Sequence, residues 1–177
     1  MSPVAARVTE DLKRLKELSK LTNNKIKVLR TSGLPVNHIE IELGYPTVSS
    51  SNYPLMKQEK SLIHIDLLDN YPFAEDKTEW PKITVKTPIF HPNIFVSGLI
   101  CLGDWKTTEY LDFFVKRIVR TICFDPQYLN PGSPANSLAS IWYKEKLRTN
   151  PGWFPTADLS DLTMGTPPRP RSIFGNS

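Results

Sequence analysis

Cys101 stands eight residues after Asn93 and ten after His91, in the glycine- and proline-containing stretch HPNIFVSGLICLGDW. A cysteine thiolate can attack an acyl carbonyl, and the oxyanion that develops needs a positioned donor. An asparagine side-chain amide can be that donor without competing for the proton. The thioester formed is reactive enough for an amine to attack. The residues alone leave other readings open. A cysteine in an apolar loop is commonly a small buried hydrophobe, and His91 would also suit the Cys–His pair of a peptidase or deconjugase. The three histidines, His38, His64 and His91, show no metal-ligand spacing, so no metal site is expected. Cys123 falls near the buried face of a helix and reads as core.

The elements that must position Cys101 follow from periodicity. Residues 5–20 read as an amphipathic helix with Val8, Leu12 and Leu15 on one face and Lys13, Arg14 and Lys16 largely off it. Residues 25–31 alternate, placing Ile26, Val28 and Arg30 on one side. Residues 38–43, 61–67 and 82–86 read as further strands, separated by the turns Ser32-Gly33-Leu34-Pro35 and Tyr71-Pro72-Phe73 and by a polar loop from 44 to about 58. Four strands joined by local turns predict an antiparallel meander. Residues 87–106 are apolar yet irregular, and such segments often carry function. Two helices then follow. One spans 108–124, with Thr108 as its N-cap and Leu111, Val115, Ile118 and Ile122 inward. The other spans 133–148, opened by Ser133-Pro134 and burying Leu138, Ile141 and Trp142. The expected class is α+β: an N-terminal helix, a four-stranded meander, a long loop and two C-terminal helices. Residues 1–150 form the domain, and 151–177 a proline-rich, extended or partly disordered extension.

Composition bounds the partners. Among 177 residues, 22 basic and 18 acidic side chains leave a net charge of +4, too mild to argue for nucleic acid. Two cysteines supply neither a disulfide framework nor a four-ligand zinc site. The first twenty residues hold no apolar run suited to a signal peptide, and nothing approaches a membrane span, so a reducing, cytoplasmic setting without a membrane partner is expected. Proline is the compositional outlier, at 16 residues. Proline on that scale argues against a helical bundle.

Four motifs occur in an order that resembles the ubiquitin-conjugating (E2) enzymes. His91-Pro92-Asn93, followed by Gly98 and Cys101, is similar to the active-site signature of that family. Tyr71-Pro72-Phe73 resembles its turn after the third strand, and Trp80-Pro81 its proline pair before the fourth. Asp125-Pro126 with Asn130-Pro131-Gly132-Ser133-Pro134-Ala135-Asn136 resembles the segment before its third helix. The resemblance spans about residues 5–148 and implies the UBC-like fold. It makes Cys101 the thioester-forming residue and Asn93 the oxyanion support. His91, Pro92, Gly98 and Trp105 become structural parts of the active-site loop. Ser133 takes the gate position, where many members have aspartate, with Asp104 a nearby acid, and Lys13, Arg14 and Lys16 lie where an E1-like activating enzyme docks. No cofactor is implied.

Departures from the eukaryotic pattern refine the expectation. Only Gly103-Asp104 separates Leu102 from Trp105, the 44–58 loop lacks a glycine-rich turn, and three residues are inserted before Ser133. These features resemble the prokaryotic E2-like proteins of antiphage operons. That likeness implies transfer of a protein C-terminus to lysine. The carrier it favours is a cyclic-GMP-AMP-synthase-like nucleotidyltransferase; the alternatives are a ubiquitin-like modifier with its own activating enzyme, or a non-catalytic binding module.

Overall fold

A computed structural model describes residues 1–129 and 132–163. Helix α1 (Pro3–Leu21) starts where Ser2 Oγ accepts from the Ala5 N–H at 3.1 Å, with proline at the first helical position. It buries Val8, Asp11, Leu15 and Leu18, a face of three- and four-residue steps. It ends at Thr22, and Asn23 and Asn24 then take positive φ, where asparagine is tolerated.

The meander follows as expected. Strands β1 (Ile26–Ser32), β2 (His38–Leu43), β5 (Ser61–Asp66) and β6 (Lys82–Val85) form one antiparallel sheet in the order β1-β2-β5-β6. Alternation puts Ile39, Ile41 and Leu43 of β2 and Ile63 and Ile65 of β5 in the core. One register detail differs from the sequence expectation. A bulge between Val28 and Arg30 leaves Leu29 unpaired, so Arg30 lies opposite Glu40 on the outer face, not beside Ile26 and Val28. The extra residue keeps the guanidinium in water. The polar 44–58 loop is also more ordered than expected: β3 (Thr47–Val48) and β4 (Lys57–Gln58) pair as a separate ribbon, and Tyr45, Val48 and Tyr53 are buried.

Both later helices start later than the sequence suggests. Helix α2 spans Leu111–Ile122, and Thr108 is not its cap. The first helical N–H, of Leu111, is instead accepted by Asp11 Oδ1 of α1 at 2.9 Å. Its inward face is Leu111, Val115, Ile118 and Ile122, as the periodicity requires. Helix α3 spans Ser137–Thr149 and is capped by Asn136, whose Oδ1 accepts from Ala139, rather than by Ser133. This start selects a face of Ala139, Trp142 and Tyr143 and leaves Leu138 and Ile141 73% and 65% exposed, contrary to their expected burial.

Two apolar cores result among the described residues. The main one joins α1, the inner face of the sheet and α2. The second gathers Val48, Tyr53, Phe124, Trp142 and Tyr143 with the partly buried Phe90, Trp153 and Phe154. Residues 151–163 pack against the domain instead of trailing from it. They form two short 3-10 turns, Pro151–Trp153 and Ser160–Leu162, and bury Leu159 and Leu162. The rest of the proline-rich extension lies outside the described residues, as do Asn130 and Pro131. No helix among the described residues is long and apolar enough to cross a membrane.

Candidate active site

Cys101 is the exposed cysteine, at the end of an irregular hairpin that leaves β6. The hairpin closes through the Ile94–Ile100 bridge, and a second bridge joins Leu99 to Thr84 of β6. Gly98 makes this approach possible. Its φ is +91°, and a Cβ there would lie 2.4 Å from the Val85 carbonyl oxygen. Without a side chain at Gly98, its carbonyl accepts the Val85 N–H at 2.8 Å.

Asn93 locks the cysteine from the other side. Its backbone carbonyl accepts the Cys101 N–H at 2.8 Å, and its Nδ2 donates to the Cys101 carbonyl at 3.2 Å. Because a carbonyl only accepts, the amide nitrogen must be the atom facing it. Its Oδ1 is buried and unpartnered among the described residues. Asn93 is itself held by His91, whose Nδ1 accepts the Asn93 N–H at 2.9 Å. That bond requires Nδ1 to be unprotonated. His91 is fully buried and packs on Phe124, with ring centroids 4.3 Å apart. Burial pushes its pKa down to about 3, and the Thr121 backbone offsets this only in part. Pro92 ties the loop to the approach of α3: its carbonyl accepts from both Ala135, at 2.8 Å, and Asn136, at 3.1 Å.

Beyond Cys101 the chain is pinned to α2. The Arg117 guanidinium lies 3.4–3.5 Å from the carbonyls of Leu102 and Asp104 and is paired with Glu109 at 2.9 Å. Trp105 is buried against Tyr71 and Phe114, and its Nε1 donates to the Pro72 carbonyl at 3.1 Å. The Tyr71-Pro72 turn and the Cys101 loop are thereby one packed unit. A cleft of about 240 Å³ opens beside the cysteine, walled by Trp80, Pro81, Phe95, Leu99 and Leu102, with Asp104 at its edge. Ser133 is exposed and does not line this cleft. Cys123 is buried, with its thiol pushed up to about 12 by desolvation.

The chain matches no protein-family model. A 68-residue stretch is 35% identical to "Ubiquitin-conjugating enzyme E2 1" of Caenorhabditis elegans, over 38% of this chain and 35% of that protein. The match thus spans about a third of the curated relative. The structure superposes on S. cerevisiae Ubc12 with a TM-score of 0.58 and 20% identity, covering 81% of this chain and 72% of that one. The chain has the UBC-like E2 fold. Cys101, Asn93 and Gly98, close together in the chain, are also together in space, joined by the Asn93–Cys101 hydrogen bonds and the Gly98 turn. Arg117 and the walls of the cleft come from distant parts of the chain and have no local sequence signal. Arg117 reads only as a late-helix cation, and nothing local shows which carbonyls it faces.

On α1, the expected docking cations divide. Lys13 and Lys16 are exposed, with Lys13 3.9 Å from Glu10, whereas Arg14 is paired with the same Glu10 at 2.9 Å and stacks on Tyr110 with its guanidinium carbon 3.7 Å from the ring centre.

Proposed function

We propose that Cys101 accepts a protein C-terminus as a thioester and transfers it to a lysine. The observation that carries this is an exposed thiol at the mouth of an apolar cleft, on a loop that Asn93 clamps through both backbone and side chain. In the charging step the Cys101 thiolate attacks the donor's acyl carbonyl on an activating partner, and that partner's thiolate leaves. In the transfer step a neutral lysine amine attacks the new thioester. A C–N bond forms, the C–S bond breaks, Cys101 departs as thiolate and the amine passes its proton to water. The second Nδ2 hydrogen of Asn93 serves the developing oxyanion, while the first holds the Cys101 carbonyl.

Only about one lysine in 2,500 is neutral at pH 7. The cleft contributes by desolvating the amine, whose charged form is disfavoured in apolar surroundings. His91 does not serve as a base. It is buried, its Nδ1 is already an acceptor, and its pKa is about 3. The same facts weigh against a Cys–His peptidase. Asp104, which lines the cleft, orients the incoming amine in this reading, whereas Ser133, exposed and outside the cleft, contributes no contact to it. Lys13 and Lys16 offer the docking charges for an activating partner, with Arg14 bracing the helix.

The E2 fold and the family resemblance together point to a carried protein C-terminus, from the cyclic-GMP-AMP-synthase-like nucleotidyltransferase of an antiphage operon or from a ubiquitin-like protein. Intact mass spectrometry of the chain co-expressed with its neighbouring gene products tests this. The wild type gains a mass that thiol removes and that identifies the carrier. Cys101→Ala lacks it, and Cys101→Lys holds the same mass in thiol-resistant form. An adduct that persists on Cys101→Ala, or target conjugation unchanged by that substitution, overturns the reading.

A further inference from the structure

The outer face of the sheet carries a second group of chemically competent side chains, none of which lines the cysteine cleft. Antiparallel register sets His38 opposite Asp66 and Glu40 opposite His64. Residues two apart on a strand share a face, so the two imidazoles and two carboxylates converge on one side of β2 and β5. Ligand atoms of His38, Glu40 and His64 all lie within 4.8 Å of one another, and each residue is partly exposed. The His38 and His64 rings stand perpendicular, with centroids 4.9 Å apart.

Asp66 gives the group its direction. Its Oδ1 lies 2.6 Å from His38 Nδ1. A carboxylate only accepts, so Nδ1 carries a proton toward Asp66, and Nε2 is the ring nitrogen left for another partner. Nε2 faces Glu40 Oε1 at 3.7 Å. A histidine held by a carboxylate through one nitrogen, with the other aimed at a second ligand, is the arrangement that orients imidazoles toward metal ions. Tetrahedral Zn²⁺, with bonds of about 2.0–2.2 Å to nitrogen and oxygen, spaces its ligands by about 3.3–3.6 Å. The His38–Glu40 separation is already close to that, and small side-chain rotations bring in His64.

We propose that His38 through Nε2, Glu40 and His64 bind a divalent transition-metal ion of the Zn²⁺ class, with Asp66 holding the His38 tautomer. Two imidazoles select such an ion over Mg²⁺ or Ca²⁺, which prefer all-oxygen sites. Arg30 lies across from Glu40 and Lys82 across from Asp66, and the two carboxylates offset these cations. The fourth coordination position faces solvent. The ion clips β2 to β5, the two central strands.

Titration of the purified full chain with Zn²⁺ by calorimetry, and with Co²⁺ by visible absorption, tests the site. Expected are one ion per chain, a raised Tm with Zn²⁺, and a tetrahedral Co²⁺ spectrum without a thiolate charge-transfer band. His38→Ala, His64→Ala and Glu40→Gln should keep the metal-free Tm and lose at least tenfold in affinity, and Asp66→Asn should lose about 10- to 100-fold. Alkylating Cys101 should leave binding unchanged, which separates this site from the thioester reading. Absence of stoichiometric binding, a thiolate signature, or wild-type affinity in both histidine variants overturns the proposal.

Discussion

His91 gives the clearest pH signature at the level of one residue. Its pKa falls from the ordinary 6.5 to about 3 in the folded state because the neutral ring is sealed in the core. The unfolded chain therefore binds a proton that the folded chain refuses between those two values. Stability from His91 is fully present above pH 6.5 and is lost as pH falls toward 3. Between pH 7 and pH 5 the loss is about 2 kcal/mol. His91→Asn keeps an acceptor for the Asn93 N–H but cannot titrate. Urea unfolding at the two pH values should show wild type losing about 2 kcal/mol more than the variant. An equal loss in both would place the titration elsewhere. Gly98 makes a second prediction. Alanine there meets positive φ strain and the Val85 carbonyl together, so Gly98→Ala should cost about 3 kcal/mol in urea unfolding. It should also slow thioester formation on Cys101, because the hairpin carrying the thiol must shift.

Between elements, Asp11 is the hub. Its buried carboxylate accepts from Arg7 Nε at 3.0 Å, from the Tyr71 hydroxyl at 2.6 Å and from the Leu111 N–H at 2.9 Å. It thus joins α1, the turn beneath Trp105 and the first turn of α2. Burial raises its pKa, with Tyr71, Leu111 and Arg7 pulling it back. Asp11→Ala leaves a largely buried guanidinium, a phenol and a helix end without their acceptor. It should cost about 3–5 kcal/mol, and Asp11→Asn clearly less, measured by thermal and urea unfolding. Nothing in the sequence around Asp11 announces this role, which depends on partners 60 and 100 residues away. The same limit hides the His38–His64 cluster: two rings 26 positions apart in the chain are brought together by strand register. The start of α3 also depends on a contact from elsewhere in the chain. Ser133-Pro134 and Asn136 are both sound caps, and the Pro92 carbonyl, which holds the N–H groups of Ala135 and Asn136, decides between them. Local signals are enough for the alternation of β2, the inward face of α2 and the fold that the order of motifs resembles.

For the whole molecule, residues 151–163 act as a strap between two cores. Thr156 donates its N–H to the Cys123 carbonyl at 2.9 Å and its hydroxyl to the Pro46 carbonyl at 2.5 Å. Asp161 accepts from the Tyr45 hydroxyl at 3.1 Å and pairs with Lys25 at 3.3 Å. Phe154 packs on Phe124, Trp142 and Tyr143 in the smaller core, whereas Leu162 is buried in the main one. Phe154→Ala and Leu162→Ala should therefore each cost about 2–5 kcal/mol, but in different places. Hydrogen exchange should quicken first in α3 for Phe154→Ala and across α2 and the sheet for Leu162→Ala. A chain ended at Asn150 loses both anchors and exposes both cores, so it should be destabilised by more than either substitution. If that shortened chain unfolds at the wild-type urea midpoint, the strap contributes nothing. The helix that holds Arg117 over the Cys101 loop ends where the strap attaches, so loosening the strap should also lower thioester yield on Cys101.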